Sequence, residues 1–155
     1  MKIRTIKNNN HRRAFEIGTW RQSFLFPYAK ADPAPTTNDP VDSVIIDTEL
    51  GREAFTYQLA SGVEGTIHIE QVLEYNQDPS YLRDQLLYKL TIEAQQQLKK
   101  NTLSKREIIR RLGTSPAQFY RLIDATNYRK SIDKVLDLLH VLDCDVELVV
   151  RERTA

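Results

Sequence analysis

"SKREIIRRLGTSPAQFYRLID", Ser104–Asp124, contains two short helical patterns that meet at a glycine. Ser104 stands three residues before Glu107, the spacing at which a hydroxyl and a carboxylate each satisfy a free backbone N–H at a helix start. Ile108 and Leu112 share one helical face. Gly113 supplies the left-handed conformation that ends a helix abruptly. Thr114 or Ser115 then caps a second helix, with Pro116 in its first turn, where a missing N–H costs nothing. Phe119, Leu122 and Ile123 form the inward face, which leaves Pro116, Ala117, Gln118, Tyr120 and Arg121 outward. A hairpin with a merely solvated outer face is free to mix Glu and Lys there, yet no acid occurs on this face before Asp124.

The flanking segments extend the helical pattern. From Pro79, with Ser80 as the expected cap, Leu87, Leu90, Ala94 and Leu98 recur at helical spacing, and Lys99 and Lys100 suit the negative end of the helix dipole. A last helix is expected over 131–142, capped by Ser131 and carrying Ile132, Val135, Leu136, Leu139 and Leu142 inward. "CDVELVVRE" returns to period two, so a short strand is expected over Cys144–Arg151 with Val146, Leu148 and Val150 on one face.

The first 70 residues read with period two. Phe15 and Ile17 alternate, as do Phe24 and Phe26. "VDSVIID" is a β-branched run, and Phe55, Tyr57 and Leu59 share one face. Beyond a two-residue Ser61-Gly62 turn, Val63, Ile67 and Ile69 alternate again, a hairpin signal. "AKADPAPTTNDP" has three of the six prolines and reads as a surface loop. "IEQVLEY" reads as a short helix stopped by Asn76-Gln77-Asp78-Pro79. No internal repeat is evident. The fold class is therefore α+β: a small antiparallel β-rich domain over 1–77, then an all-α domain over 78–155 that closes with a short strand.

Across its 155 residues the chain carries a net charge of +1, and this conceals an asymmetry. Residues 1–80 hold 8 Lys and Arg against 11 Asp and Glu, residues 81–155 hold 14 against 10, and 103–130 alone hold 7 against 2. Local basicity at the hairpin points to an anionic partner more clearly than the whole-chain charge does. Cys144 is the single cysteine, which excludes an intramolecular disulfide and a cysteine zinc site. A reducing, cytoplasmic setting is the expectation. No apolar run approaches the ~20 residues of a membrane span, and no hydrophobic stretch follows the basic N-terminal residues, so neither an anchor nor a signal peptide is expected.

At the hairpin the chain resembles the helix-turn-helix of the lambda-repressor-like family (Cro-type, or xenobiotic-response-element type). The resemblance spans a preceding helix at about 81–100, the hairpin, the loop "DATNYRKS", and an amphipathic helix ending "LLHVLDCDVEL". The turn glycine, its flanking apolar residues and the Glu near the first helix start carry it. Two positions depart from the family's pattern: Ile109 stands where the two helices approach and a small residue is usual, and Thr114 follows the glycine where an aliphatic residue is usual. The N-terminal half is similar, weakly, to a small β-rich bacterial domain of unknown function joined to such units.

What the resemblance implies is sequence-specific binding of double-stranded DNA by a transcriptional regulator, as a homodimer. In a recognition helix the N-terminal residues read base edges while nearby groups hold phosphates. The base-reading candidates are then Pro116, Ala117, Gln118 and Arg121. Gln suits adenine, Arg suits guanine bidentately, and Ala suits a thymine methyl. The phosphate candidates are Ser104, Lys105, Thr114, Ser115, Tyr120, Asn127, Tyr128, Arg129 and Lys130. Arg106, Arg110 and Arg111 are less diagnostic, because a charge run is usually a solvated face. The alternative is an antitoxin-like module that neutralises a toxin-like protein partner and autoregulates its operon. A small-molecule effector of the β-rich domain is a third expectation.

Catalysis has little support in the sequence. His11, His68 and His140 share no metal-ligand spacing. The five glycines make no phosphate-cradling loop. No Ser, Cys or Asp has an evident activating neighbour. Neither a catalytic residue nor a cofactor is therefore expected.

Overall fold

A computed structural model describes residues 1–154. The chain is mixed α and β, in the order β1 (Ile3–Asn9), β2 (Ala14–Thr19), β3 (Ser23–Pro27), β4 (Val41–Asp47), β5 (Ala54–Leu59), β6 (Glu64–His68), α1 (Ile69–Tyr75), α2 (Pro79–Lys100), α3 (Lys105–Leu112), α4 (Pro116–Leu122) and α5 (Ile132–Val141). Two compact units divide between Leu82 and Arg83, inside α2. No helix among the described residues is long and apolar enough to cross a membrane.

The first unit contains two three-stranded antiparallel sheets, β1-β2-β3 and β4-β5-β6. Period-two alternation buries one face of each: Phe15 and Ile17 on β2, Phe24 and Phe26 on β3, and Phe55, Tyr57 and Leu59 on β5. Phe15 is the hub, with ring centroids 4.9 Å from Tyr28, 5.1 Å from Phe55 and 5.0 Å from Tyr57. The Tyr57 hydroxyl donates to the Pro33 carbonyl at 2.6 Å, and its ring lies where a Cβ on Gly65 would be. Burial pushes the Tyr57 hydroxyl up to about 12. Strand β1 has no counterpart in the sequence reading, because only Ile3 of its residues is fully buried and the others are polar or half-buried.

Contrary to the sequence reading, this unit is an internal repeat. β1 and β4 each begin with a buried aliphatic, Ile3 and Val41, and each carries an irregularity just after it. Phe15 pairs with Phe26 as Phe55 pairs with Ile67. A helical turn follows each meander, a single 3-10 turn at Tyr28–Lys30 and then α1. Even the entry bonds correspond, with Tyr28 N–H donating to Arg13 O at 2.9 Å and Ile69 N–H to Glu53 O at 2.7 Å. Identity is lost at most equivalent positions (Ile17 against Tyr57, Phe26 against Ile67) while size and apolarity persist, so the repeat lives in burial and register.

Other local expectations are corrected. The β5–β6 connection is the four residues Ala60–Val63, with Gly62 at φ 89, and Val63 is exposed. Asp78, not Ser80, caps α2: its carboxylate accepts the Tyr81 N–H at 3.1 Å, and Ser80 lies inside the helix. A carboxylate one residue before the first helical residue is the stronger cap, because it meets an otherwise free N–H.

The second unit packs Leu87, Ala94, Ile108, Phe119, Leu122, Val135, Leu138, Leu139 and Leu142 into one cluster. On α5 the inward residue is Leu138, fully buried, whereas the expected Leu136 is 37% exposed. The expected closing strand is absent: Cys144–Thr154 has no regular structure, and no strand among the described residues pairs with it. A strand needs a neighbour for its N–H and C=O groups. Val146, Leu148, Val149 and Val150 are left exposed.

Candidate nucleic-acid interface

Helix α3 begins where its cap dictates, with the Ser104 hydroxyl accepting the Glu107 N–H at 3.2 Å. The reciprocal half of the expected capping box is missing. Glu107 instead accepts from Arg110 at 2.6 and 2.9 Å and from Arg111 at 3.1 Å. Charge-assisted bonds at three- and four-residue spacing outcompete a neutral backbone donor. The two guanidiniums hold the Glu107 carboxyl at about 2. Arg110 and Arg111 therefore have an internal anion, while Arg106 is exposed.

Gly113 ends α3 at φ 64 and ψ 34, its N–H donating to Arg110 O at 3.1 Å. The Thr114 N–H reaches Ile109 O at 3.3 Å, and the Ile109 side chain packs half-buried against the core. Ser115 caps α4 by accepting the Gln118 N–H at 3.2 Å. Thr114 turns its hydroxyl to the Gln118 side-chain carbonyl at 2.7 Å, which leaves the Gln118 amide NH2 as an outward donor pair.

Phe119 and Leu122 anchor α4 in the core, so Pro116, Ala117, Gln118, Tyr120 and Arg121 are all exposed. The Lys105 ammonium sits 5.7 Å from the centre of the Tyr120 ring, which joins the start of α3 to the outer face of α4.

The far end of α4 is fixed by side chains that reach four consecutive carbonyls. Asn127 donates to Arg121 O at 3.0 Å, Lys130 to Leu122 O and Asp124 O at 2.7 Å each, and Gln95 of α2 to Ile123 O at 2.6 Å. Arg83 pins the loop behind them, donating to Tyr128 O at 3.1 Å and Lys130 O at 3.2 Å. The Lys130 ammonium, lowered from its ordinary value by burial, thus belongs to the helix end. Asn127 is likewise committed, its second amide atom accepting the Arg129 N–H at 3.1 Å. Tyr128 and Arg129 keep exposed side chains.

A cleft of 260 Å³ runs between the start of α4 and the start of α5, lined by Gly113, Thr114, Gln118, Lys130, Ser131 and Lys134 among others. Lys134 and the positioning pair Arg83 and Gln95 are absent from the sequence candidates. Gln95 had one usable signal, a polar residue beside the apolar stripe of α2 at Leu87, Leu90, Ala94 and Leu98. The arrangement presents hydrogen-bond donors, small apolar surface and guanidinium on one fixed helix face, the chemistry that edges of base pairs offer partners to. No family model, curated protein or solved structure matches the chain.

Proposed function

We propose that the second unit is a helix-turn-helix that binds double-stranded DNA in a sequence-specific manner, and that the chain is a transcriptional regulator. The observation that carries this reading is the outward face of α4, where Pro116, Ala117, Gln118 and Arg121 are exposed and acid-free. Both ends of that face are fixed, by Ser115 at the start and by Asn127, Lys130 and Gln95 at the finish. Fixed donors lose less freedom on binding, which favours discrimination between bases. Gln118 and Arg121 read base edges, Ala117 and Pro116 meet thymine methyls, and Lys105, Tyr120, Arg129 and Lys134 contact phosphates.

One such hairpin buries too little surface for tight specific binding, so two copies act together on a near-palindromic site. The exposed C-terminal segment supports such a pairing. Set antiparallel to its own copy about Leu148, it places Val146 opposite Val150 on one face and Asp145 opposite Arg151 on the other. Apolar and opposite-charge cross-strand pairs stabilise a ribbon.

Selection of bound sequences from random duplex DNA tests the reading, followed by mobility shift of the enriched site. Gln118→Ala with Arg121→Ala is expected to abolish sequence preference while the far-UV circular dichroism is unchanged. Specific binding that survives in this double variant overturns the assignment of the face. Failure to enrich any motif at low salt overturns the DNA reading and favours a protein partner.

A further inference from the structure

The β2–β3 turn of the first unit carries the chain's single tryptophan at its tip, 77% exposed. The turn is rigid. The Thr19 hydroxyl donates to Gln22 O at 2.7 Å and accepts the Arg21 and Gln22 N–H groups at 3.3 and 3.2 Å, and Thr19 N–H donates to Gln22 O at 2.9 Å. Gly18 leads into it because the Thr5 side chain occupies the space a Cβ would need. Trp20 is thus held out in water by the turn that carries it.

Cations converge on this ring. The Arg4 guanidinium lies 5.5 Å from the ring centre, over one face. Lys2, Arg4, Trp20, Arg21 and Arg52 line one shallow depression of 600 Å³ together with Met1. Arg52 fixes the strand that carries Arg4, donating to Ile3 O at 3.2 Å and Arg4 O at 3.4 Å, and Arg21 donates to Ser80 at 2.8 Å. Of the acids nearby, Glu53 is engaged by the N-terminal ammonium at 3.9 Å and Asp78 accepts from Gln22 of the turn at 3.3 Å. An indole sandwiched on one side by guanidinium keeps its other face for a second flat partner.

We infer that this depression is a binding site for single-stranded nucleic acid, in which an unpaired base stacks on Trp20 and the adjoining phosphates meet Arg4, Lys2 and Arg21. A cationic groove beside an exposed aromatic is the chemistry by which unpaired strands are held without sequence preference. A paired base has both faces covered and does not fit it. A membrane surface asks for several neighbouring apolar side chains that insert, and beside Trp20 only Met1 is exposed while Ile3 is fully buried. An acidic peptide answers the cations but leaves the ring face unused.

Because Trp20 is the only tryptophan, its emission in the full chain reports on this site alone. A thymidine oligonucleotide of about 12 nucleotides is expected to quench it saturably, more weakly as salt rises. Anisotropy of the labelled oligonucleotide should show affinity on the order of 10-fold lower for Trp20→Ala, and a smaller loss for Arg4→Ala. Both side chains are exposed, so circular dichroism should be unchanged. The inference is overturned by absence of quenching, or by equal quenching from a duplex of the same length, polyglutamate or phosphatidylserine vesicles. Unchanged oligonucleotide affinity in Trp20→Ala overturns it too.

Discussion

Two charged residues near α4 divide the basic surface into structural and available charge. Lys130 donates to two carbonyls at the end of α4 and is lowered by burial, which is the behaviour of a cap. Lys130→Met is therefore expected to lower stability by about 2 kcal/mol, since hydrogen bonds from charged groups are worth more than neutral ones. The salt slope of DNA binding should stay the same, whereas loss of a phosphate contact would shallow it by about 0.9. Denaturant melts and binding isotherms at several salt concentrations separate the two. Glu107 acts in the opposite direction, masking Arg110 and Arg111. Its carboxyl is held at about 2 against an ordinary 4.5, so the stability it contributes is complete above 4.5 and is lost as pH falls toward about 2. Following the Glu107 carboxyl resonance through an acid titration checks this. Glu107→Gln at neutral pH should free both guanidiniums, raise affinity for random duplex, and steepen the salt slope by up to about 1.8 if each finds a phosphate.

At the scale of elements, the helical hairpin was legible because each of its parts depends on a single residue type. Ser104, Gly113, Ser115 and Pro116 have local jobs that sequence spacing reports directly. Gly113→Ala places a Cβ at φ 64 and is expected to cost about 1–2 kcal/mol, read as a lower melting temperature with the α4 face chemically unchanged. The capping box failed where a longer reach competed: Glu107 found two arginines better than one N–H. The C-terminal segment shows the limit of periodicity. Alternation states that a strand would have an apolar face, but only a neighbouring strand makes one, and the chain supplies none among the described residues. The candidate site was legible in its exposed side chains, Lys105, the α4 face and Arg129, but not in all that holds them. Its supports come from Arg83 and Gln95, far away in sequence, and no local pattern announces a bond across that distance.

Across the whole molecule, the two units differ in how much their sequences disclose. Strands β2 to β6 follow from alternation, yet their organisation as two equivalent meanders does not, because the repeat preserves burial at Phe15 and Phe55 or Phe26 and Ile67 while the intervening spacing drifts. A net charge of +1 is equally uninformative, since the basic surface of residues 103–130 is offset elsewhere. If Val146, Leu148 and Val150 face their equivalents in a second copy, DNA sites selected by the full chain should be near-palindromes. Their half-site centres should lie one helical turn apart, about 34–36 Å, or a multiple of it. Leu148→Asp puts two carboxylates opposite each other at the two-fold axis, where like charges destabilise a ribbon. Sedimentation should then show a monomer. Its mobility shift on the palindrome should drop to the affinity measured on a single half-site, with recognition of that half-site by Gln118 and Arg121 retained. A dimer that persists in Leu148→Asp with unchanged affinity would place the two-fold contact on another surface of the chain.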